Sequence, residues 1–543
     1  MKKILRRILF IVFSLLLVFA LAISLSKCDV EKYNNYNKQI DLNVYLDEKP
    51  ELNVLFPNSG MDNSAFEKGW TTKFFEEQTG YKVNYSQALD NQTTIVQNIY
   101  SSKDEYHMMK LESGTYMAMV GKDPKPFVDL KPALEKFGKD LLEIIPQEAW
   151  DAVTIDGKIY GIPETGFGQM IGSALVWNMR QLAEVGITKV PETMKEVEDA
   201  FYALKEQNSG NSKYYSFAMA SPSVYVEPLA AAFNLNKDFY VNENGEIKHT
   251  MYDDNYKAYY KWLNKLCREG IISKQQQSFS AVDIYQNIAK GDLGCGYLPY
   301  WYINSLVGAM AATPEYSSEE EARNSLGYSL TIKGDGTAGS AVQSVGKTLC
   351  YDSIGYYMVI PVYMAKYGAY AIDWMNTKIK TEVYEGFRLG EEGVHYEVSN
   401  SNDPKAVKVT VSGEEKYIKL LPAYNNDILP TSMYQTGGNP TVGKNLWPLS
   451  EQSYKCWKIL VDTDYDNIVT NALAMTPYIK GWSEVDITSR SMVVTYEQRL
   501  IIAESDTAFD KQFSTCKLLW EGQYWTEEVN ENVQAWYQSK INR

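Results

Sequence analysis

Two lobes of α/β character are the fold that the sequence predicts, and three observations lead to it. The chain has 543 residues, more than one hydrophobic core usually supports, so it should divide. A short apolar strand, an amphipathic helix and a second strand follow one another between residues 50 and 87. That order belongs to a parallel α/β layer whose loops gather on one edge. Further amphipathic helices lie well beyond it, with the spacing of ordinary packing units.

The N-terminus comes first in chain order and sets the compartment. Lys2, Lys3, Arg6 and Arg7 precede an uncharged apolar run from Ile8 to Leu25, a basic region followed by a hydrophobic one, as in an export signal. The run is also just long enough to span a bilayer as an uncleaved anchor. Leu25, Ser26 and Cys28 resemble the box that ends bacterial lipoprotein signals, with Lys27 where a small residue is expected. Cys28 is therefore the candidate lipidation site, and residues 1–27 the signal.

Residues 28–49 are polar and Asn-rich and read as a tether. The strand ELNVLF begins the folded part and ends at Pro57, Asn58 and Gly60. In FEKGWTTKFFEEQTG, Phe66, Trp70 and Phe74 recur every four residues and Gly80 ends the helix. YKVNYSQ is the returning strand. Thr193 and Glu196 have capping-box spacing, with Val197, Phe201 and Leu204 on one face. Tyr256, Tyr260 and Leu263 repeat the helical period up to Gly270. The cluster KGDGTAGS, 333–340, is the clearest internal break, read either as a crossing between lobes or as a turn.

Charge and cysteines exclude several classes. Of 53 basic residues five lie in 1–27, which hold no acid, so the processed chain has 48 against 68 acidic residues, a formal −20. Nucleic acid and anionic lipid are unfavourable partners for such a surface. The six cysteines (28, 267, 295, 350, 456, 516) contain no C-x-x-C pair and read as small buried side chains. Tyrosine, at 41, and tryptophan, at 12, are plentiful, which is compatible with stacking on sugar faces.

Motifs for chemistry are weak. GDGTAG matches G-x-G-x-x-G, but no amphipathic helix follows to hold a pyrophosphate. AVQSVGKT, 341–348, lacks the strand before and the helix after that a P-loop needs. Asp462, Asp464 and Asp466 open like a calcium loop, with Asn467 and Leu473 where Gly and Glu are required. His107, His249 and His395 are far apart, and no G-x-S-x-G elbow occurs. No metal, cofactor or catalytic residue is assigned. Paired carboxylates of a glycosidase have no sequence signature, so an exported glycoside hydrolase or polysaccharide lyase is the alternative function.

A set of stretches in fixed order resembles the family 1 extracellular solute-binding proteins of carbohydrate ABC importers, in their lipoprotein-type branch. Asp156-Gly157-Lys158-Ile159-Tyr160-Gly161-Ile162-Pro163 is similar to that family's D-G-K-x-Y-G/A-I/L-P segment. FVDLKPALEKFG (127–138), residues 174–197, LNKLCREGIIS (263–273) and IAKGDLGCGYLPYW (288–301) follow in the family's order. FRLGEEGVHYEVS (387–399) resembles its Y-G-x-E-G-x-H-Y stretch. The likeness spans residues 50–400, and little after Asn425 can be matched.

The resemblance implies a periplasmic-binding-protein-like class II fold, two α/β lobes with a hinge and a ligand cleft between them. Lobe 1 would take 50–168 and about 340–430, lobe 2 would take 169–339 and about 431–543. It implies a non-catalytic substrate-binding component that captures a carbohydrate, an oligosaccharide by preference, for membrane permease subunits, as a monomer on the outer face of the cytoplasmic membrane. Ligand-binding candidates follow predicted strands. They are Asn58, Ser59, Glu112, Ser113, Tyr116, Glu164 and Gln169 in the first lobe and Tyr300 and Trp301 in the second, as hydrogen-bonding groups and stacking rings. Trp70 and Trp177 read as core.

Overall fold

The computed structural model describes residues 39–58, 66–67, 69–89, 92–164, 173–220, 225–342, 348–349, 354–403, 405–428, 438–446, 448–449, 468–469, 471–473 and 475–542. Cys28, Ser59, Gln169 and the 462–467 acidic turn lie outside them. Among the described residues no helix is long and apolar enough to cross a membrane, and the Ile8–Leu25 run is not among them.

The chain forms two compact units. The first holds the described residues up to Glu164 together with Gly355–Val383. The second holds the described residues of Thr165–Ile354, Tyr384–Pro430 and Gly438–Arg543. The chain thus leaves the first unit after Glu164, one residue past the D-G-K-x-Y-G-I-P segment. Residues 384–428 lie with the second unit, not with the first where the sequence reading put them. The KGDGTAGS break is a turn inside the second unit. Gly336 and Gly339 have positive φ there, Lys333 N–H donates to Glu192 O and Ala341 N–H to Ala232 O.

In chain order the elements are β1 (Leu52–Pro57), α1 (Trp70–Thr79), β2 (Val83–Ala88), α2 (Gln92–Ser102), β3 (Met108–Glu112), α3 (Ser113–Val120), α4 (Lys131–Phe137), β4 (Thr154–Ile155), β5 (Lys158–Ile159) and β6 (Ile162–Glu164). The second unit follows with β7 (Ser173–Asn178), α5 (Met194–Gln207), β8 (Tyr215–Met219), the β9 and β10 hairpin (Phe239–Val241, Ile247–His249), α6 (Asp254–Arg268), α7 (Ala281–Ala289), β11 (Leu293–Pro299), α8 (Ile303–Ala311), β12 (Leu326–Ser329) and β13 (Thr348–Leu349). After β14 (Tyr356–Val359) and α9 (Gly368–Ile379) in the first unit, α10 (Thr381–Leu389) carries the chain across again. Then come β15 (Tyr396–Ser399), β16 (Val407–Val411), β17 (Glu414–Leu420), β18 (Ile468–Val469), α11 (Trp482–Ile501) and α12 (Asp506–Leu519).

The first unit is built on a five-stranded sheet in the order β2-β1-β3-β14-β6. β1 is parallel to β2 and β3, and β14 runs antiparallel to both β3 and β6. Pro163 is tolerated because β6 is the edge strand. The Asp156-Gly157 turn joins β4 to β5 with φ of 51° and 75°, the left-handed pair a tight hairpin needs. Helix α1 forms where the period predicts, and Gly80 caps it at φ 73°. Its buried positions, however, are Thr71, Phe75 and Thr79, while Trp70 and Phe74 stack on each other at 5.0 Å, half-buried. The packing face of the helix is one residue away from the expected one, with the Phe75 ring under the Lys378 ammonium of α9.

The tether reading also shortens. Ile40 is buried against Gly368 of α9, where a Cβ would come within 2.5 Å of it. Lys136 Nζ donates to Leu42 O at 2.6 Å, and Lys49 pairs with Asp373 at 2.6 Å, a carboxylate that also accepts from the Tyr81 hydroxyl. Residues 39–49 are therefore part of the first unit, fastened by one apolar plug and two lysines.

The second unit has a four-stranded sheet, β12-β7-β11-β8. Both faces of β7 are buried, Leu175 and Trp177 in one core and Ala174 and Val176 in the other, as expected of a near-continuous apolar strand covered on two sides. The Trp177 indole donates to Ser329 Oγ at 2.9 Å. Helix α5 has the predicted capping box, and Val197, Phe201 and Leu204 are fully buried. Cys267, Cys295 and Cys516 are free and buried, the state read from their spacing. A three-stranded sheet, β15-β17-β16, follows α10.

One buried carboxyl belongs to this core. Glu497 of α11 accepts the Tyr256 hydroxyl of α6 at 2.7 Å, and burial pushes its pKa from 4.5 up to about 7. Between those values the folded chain holds a proton that the unfolded chain releases, so this group's contribution is full at low pH and lost as pH rises to about 7. His249, buried against Trp520 and pushed down to about 4, acts in the opposite sense below pH 6.5. Replacement of Glu497 by Gln is expected to leave stability unchanged near pH 4 and raise it at pH 8, relative to the parent, in urea unfolding followed at both pH values.

Candidate functional site

The carboxyl edge of the first sheet collects three of the candidates at one level, with Tyr356, which the sequence reading did not name, among them. β1 and β3 are in register with Val54 opposite Met108, which brings Asn58, just past β1, level with Glu112. Tyr356, the first residue of β14, is paired with Glu112 on one side and Glu164 on the other. Asn58, Glu112, Tyr356 and Glu164 therefore follow one another across the sheet. Asn58 and Glu112 are exposed. Asn58 Nδ2 donates to Leu89 O at 3.3 Å.

The end of β3 is held by Gln92 of α2. Its side-chain oxygen accepts from Glu112 N–H at 2.8 Å and its amide donates to Lys110 O at 3.0 Å. Glu112 is also the residue before α3, whose first position is Ser113, half-buried. Tyr116 is placed differently from the expectation. It is 1 % exposed, stacked on Tyr357 at 4.0 Å and parallel to Phe127 at 6.2 Å. One turn into α3 the side chain faces the sheet, and the ring is core.

Beneath the edge lies a charged group that sequence reading missed. Lys110, 1 % exposed, points its ammonium at Glu164 Oε2 at 2.6 Å and lies over the Tyr356 ring at 4.3 Å. Lys378 of α9, 2 % exposed, places its ammonium against the rings of Trp374 and Phe75 at 4.2 and 4.3 Å. Burial lowers the pKa of both lysines, Lys378 to about 7, and Glu164 works against that in each case. Burial raises Glu164, offset by Lys110 and then Lys378. Tyr356 is raised by burial first, then by Glu164 and Glu112. The available signal was Lys110 itself, a charge within the apolar stretch MMKL, where an unpaired lysine would not be buried.

In the second unit Tyr300 and Trp301 follow directly on β11, in a single 3-10 turn through Tyr302. Pro299 ends the strand opposite Ser173, where β7 begins. Tyr300 packs on the unit's core, whereas Trp301 is 46 % exposed, edge-on to Tyr300 at 5.1 Å. A large indole half open to solvent next to a strand end is the surface a flat ligand can cover. Gly294 and Gly296 let β11 sit there. A Cβ at Gly296 would be 2.4 Å from Ile284, and one at Gly294 would be 2.7 Å from Leu204 and the Tyr214 hydroxyl.

The three histidines are structural. His107 Nδ1 accepts from Asn53 N–H, His249 Nδ1 from Met251 N–H and His395 Nδ1 from Glu391 N–H. No group of three metal-ligating side chains occurs among the described residues. A cavity in the first unit, lined by Ile40, Asp123, Lys125, Phe127, Asp129 and Tyr160 among others, contains none of the candidate residues.

No protein-family model and no curated protein matches the sequence. Solved structures do match it over nearly its whole length. The alginate-binding protein AlgQ2, without calcium ion, superposes with a TM-score of 0.64 at 14 % identity, over 92 % of this chain and all of the other. The ABC-transporter substrate-binding protein FusA of S. pneumoniae, in complex with kestose, gives 0.62 at 16 % identity, over 91 % and 100 %. An HMO-binding, ABC-transporter-associated solute-binding protein of Bifidobacterium longum infantis gives 0.61 at 15 %, over 91 % and 99 %. The chain has the class II periplasmic-binding-protein fold. Its two mixed α/β units, with crossings after Glu164, before Gly355 and within α10, fit that fold. At such identities the likeness concerns the fold, and the ligand has to be argued from this chain's own residues.

Proposed function

We propose that the chain is the ligand-capturing component of a carbohydrate ABC importer, a member of the family 1 extracellular solute-binding proteins. The observation that carries this reading is the full-length likeness of fold to binding proteins described with kestose, HMO and N-glycan ligands. The edge residues support it. Asn58, Glu112 and Glu164 in the first unit offer an amide and two carboxylates to hydroxyl groups, and Trp301 with Tyr300 in the second offers an aromatic face. Ser59, Ser113 and Gln169 remain in the proposed set as neighbours of these in sequence. Binding alone is proposed, without catalysis. Membrane permease subunits are the partners, and the basic and apolar N-terminus, with lipid on Cys28 or as an uncleaved helix, would hold the protein on the outer face of the cytoplasmic membrane as a monomer.

The test is to add a panel of oligosaccharides and follow tryptophan fluorescence for binding and mass spectrometry of the sugars for cleavage. Saturable change with every sugar recovered intact is expected, and released fragments would make the protein a glycoside hydrolase or lyase instead. Trp301→Ala is expected to weaken the bound sugar by about 1–3 kcal/mol, the range for a stacked aromatic at a binding hot spot, with an unchanged circular dichroism spectrum. Equal affinity in the folded variant would remove Trp301 from the site.

A further inference from the structure

Resting on the carbohydrate-binding reading, we infer that the carboxyl edge of the first unit selects uncharged glycans and rejects glycans that carry carboxylates. The inference comes from how the signs of charge are layered there. Among the described residues, both positive groups there lie below the edge. Lys110 and Lys378 are 1 % and 2 % exposed. The Lys110 ammonium is engaged with Glu164 at 2.6 Å, and that of Lys378 is enclosed by Trp374 and Phe75. Both negative groups stand above. Glu112 is exposed, and the Glu164 side chain keeps 14 % of its surface.

Between the two carboxylates stands Tyr356, paired in register with both, which adds a half-buried ring and a hydroxyl. Among the described side chains, what the edge offers a ligand is thus mainly carboxylate oxygens, an amide and a phenol. Carboxylates are pure acceptors, and a sugar hydroxyl that donates to one makes the stronger, charge-assisted kind of hydrogen bond. A neutral polyol satisfies this edge by donating. A uronate brings a second negative charge to a partly desolvated carboxylate, where like charges repel and little water screens them. The buried lysines raise the ionised fraction of Glu164 without presenting a positive atom to the ligand. They therefore favour the hydroxyl-accepting form of the edge and, among the described residues, present no positive side-chain atom to an acidic sugar.

The experiment is a calorimetric titration of the full-length protein in detergent with two ligand sets of matched length. One contains neutral tri- to pentasaccharides, the other uronic-acid oligosaccharides, both in 20 mM and 300 mM salt. At least tenfold weaker binding of every uronate is expected, with the gap narrowing at high salt. Glu112→Gln, at an exposed position where folding is not at stake, is expected to narrow the gap at least threefold at low salt. Glu164→Gln is measured beside it, with unfolding controls because Lys110 loses its partner. Uronates binding as tightly as neutral sugars, or a gap unmoved by Glu112→Gln, would overturn the inference while leaving carbohydrate binding in place. If neither set binds, the carbohydrate reading itself fails and this inference falls with it.

Discussion

Lys110→Met is expected to cost the protein about 3–5 kcal/mol, the loss typical of stranding one partner of a buried ion pair. The lysine is 1 % exposed, so its removal leaves Glu164 beside an apolar side chain in a partly dehydrated place. The carboxyl then either stays ionised without compensation or takes up a proton. Burial already raises Glu164, and Lys110 is the chief influence against it. The loss is therefore larger at pH 8 than at pH 5, since proton uptake by the acid as the pH falls leaves less charge to strand. Urea unfolding at the two pH values reads the difference. The double variant Lys110→Met/Glu164→Gln is expected to recover part of the stability at pH 8, since both charges are then gone. Equal losses at both pH values would mean that packing, not the ion pair, sets the cost.

Gly390→Ala is the second large effect, about 2–5 kcal/mol, and it comes from the stretch FRLGEEGVHYEVS. Gly390 ends α10 with φ of 78°, and a Cβ there would lie 2.7 Å from the Cβ, Cγ and Nδ1 of His395. His395 cannot yield. It is fully buried, accepts from Glu391 N–H at 2.8 Å and has Nε2 3.4 Å from Asp427. Left-handed backbone at a non-glycine costs about 1–3 kcal/mol, and forced contact in a packed core costs about as much again. Gly393 separates the two terms. Its φ is 83°, it donates to Tyr396 O at 2.7 Å, and nothing lies within 4 Å of its would-be Cβ. Gly393→Ala should therefore show the conformational cost alone. A midpoint shift for Gly390→Ala no larger than that of Gly393→Ala would show that His395 moves aside.

That comparison also says what this stretch is for. Its two glycines and its histidine form a helix stop and a buried corner leading into β15, and they serve the fold of the second unit. The stretch that resembles the family most specifically is thus structural, and so is Asp156-Gly157, whose turn feeds β6 and so delivers Glu164 to the sheet edge.

Local chemistry was legible wherever it is decided within a few residues. The β1 strand, the Gly80 stop, the Thr193 capping box and the free buried cysteines all follow from nearest-neighbour rules of backbone geometry and burial. The helical face of α1 was misjudged by one position because periodicity gives a repeat, not the phase at which a partner meets it. Tyr116 was misplaced for a related reason. A residue just after a strand end reads as a loop residue, but α3 begins at once and turns the ring under the sheet.

By itself the sequence determined an acidic chain of α/β units with candidate ligand groups after strand ends, since these depend on composition, hydropathy and short-range pattern. Only the tertiary structure decided that residues 39–49 clasp the first unit, that 384–428 join the second, and that Lys110, Tyr356 and Glu164 meet. Those three are separated by as many as 246 positions along the chain and come within contact because β14 returns from the second unit to lie between β3 and β6. Sheet order is a long-range choice, made by which strands can bury their faces together, and no local pattern encodes it.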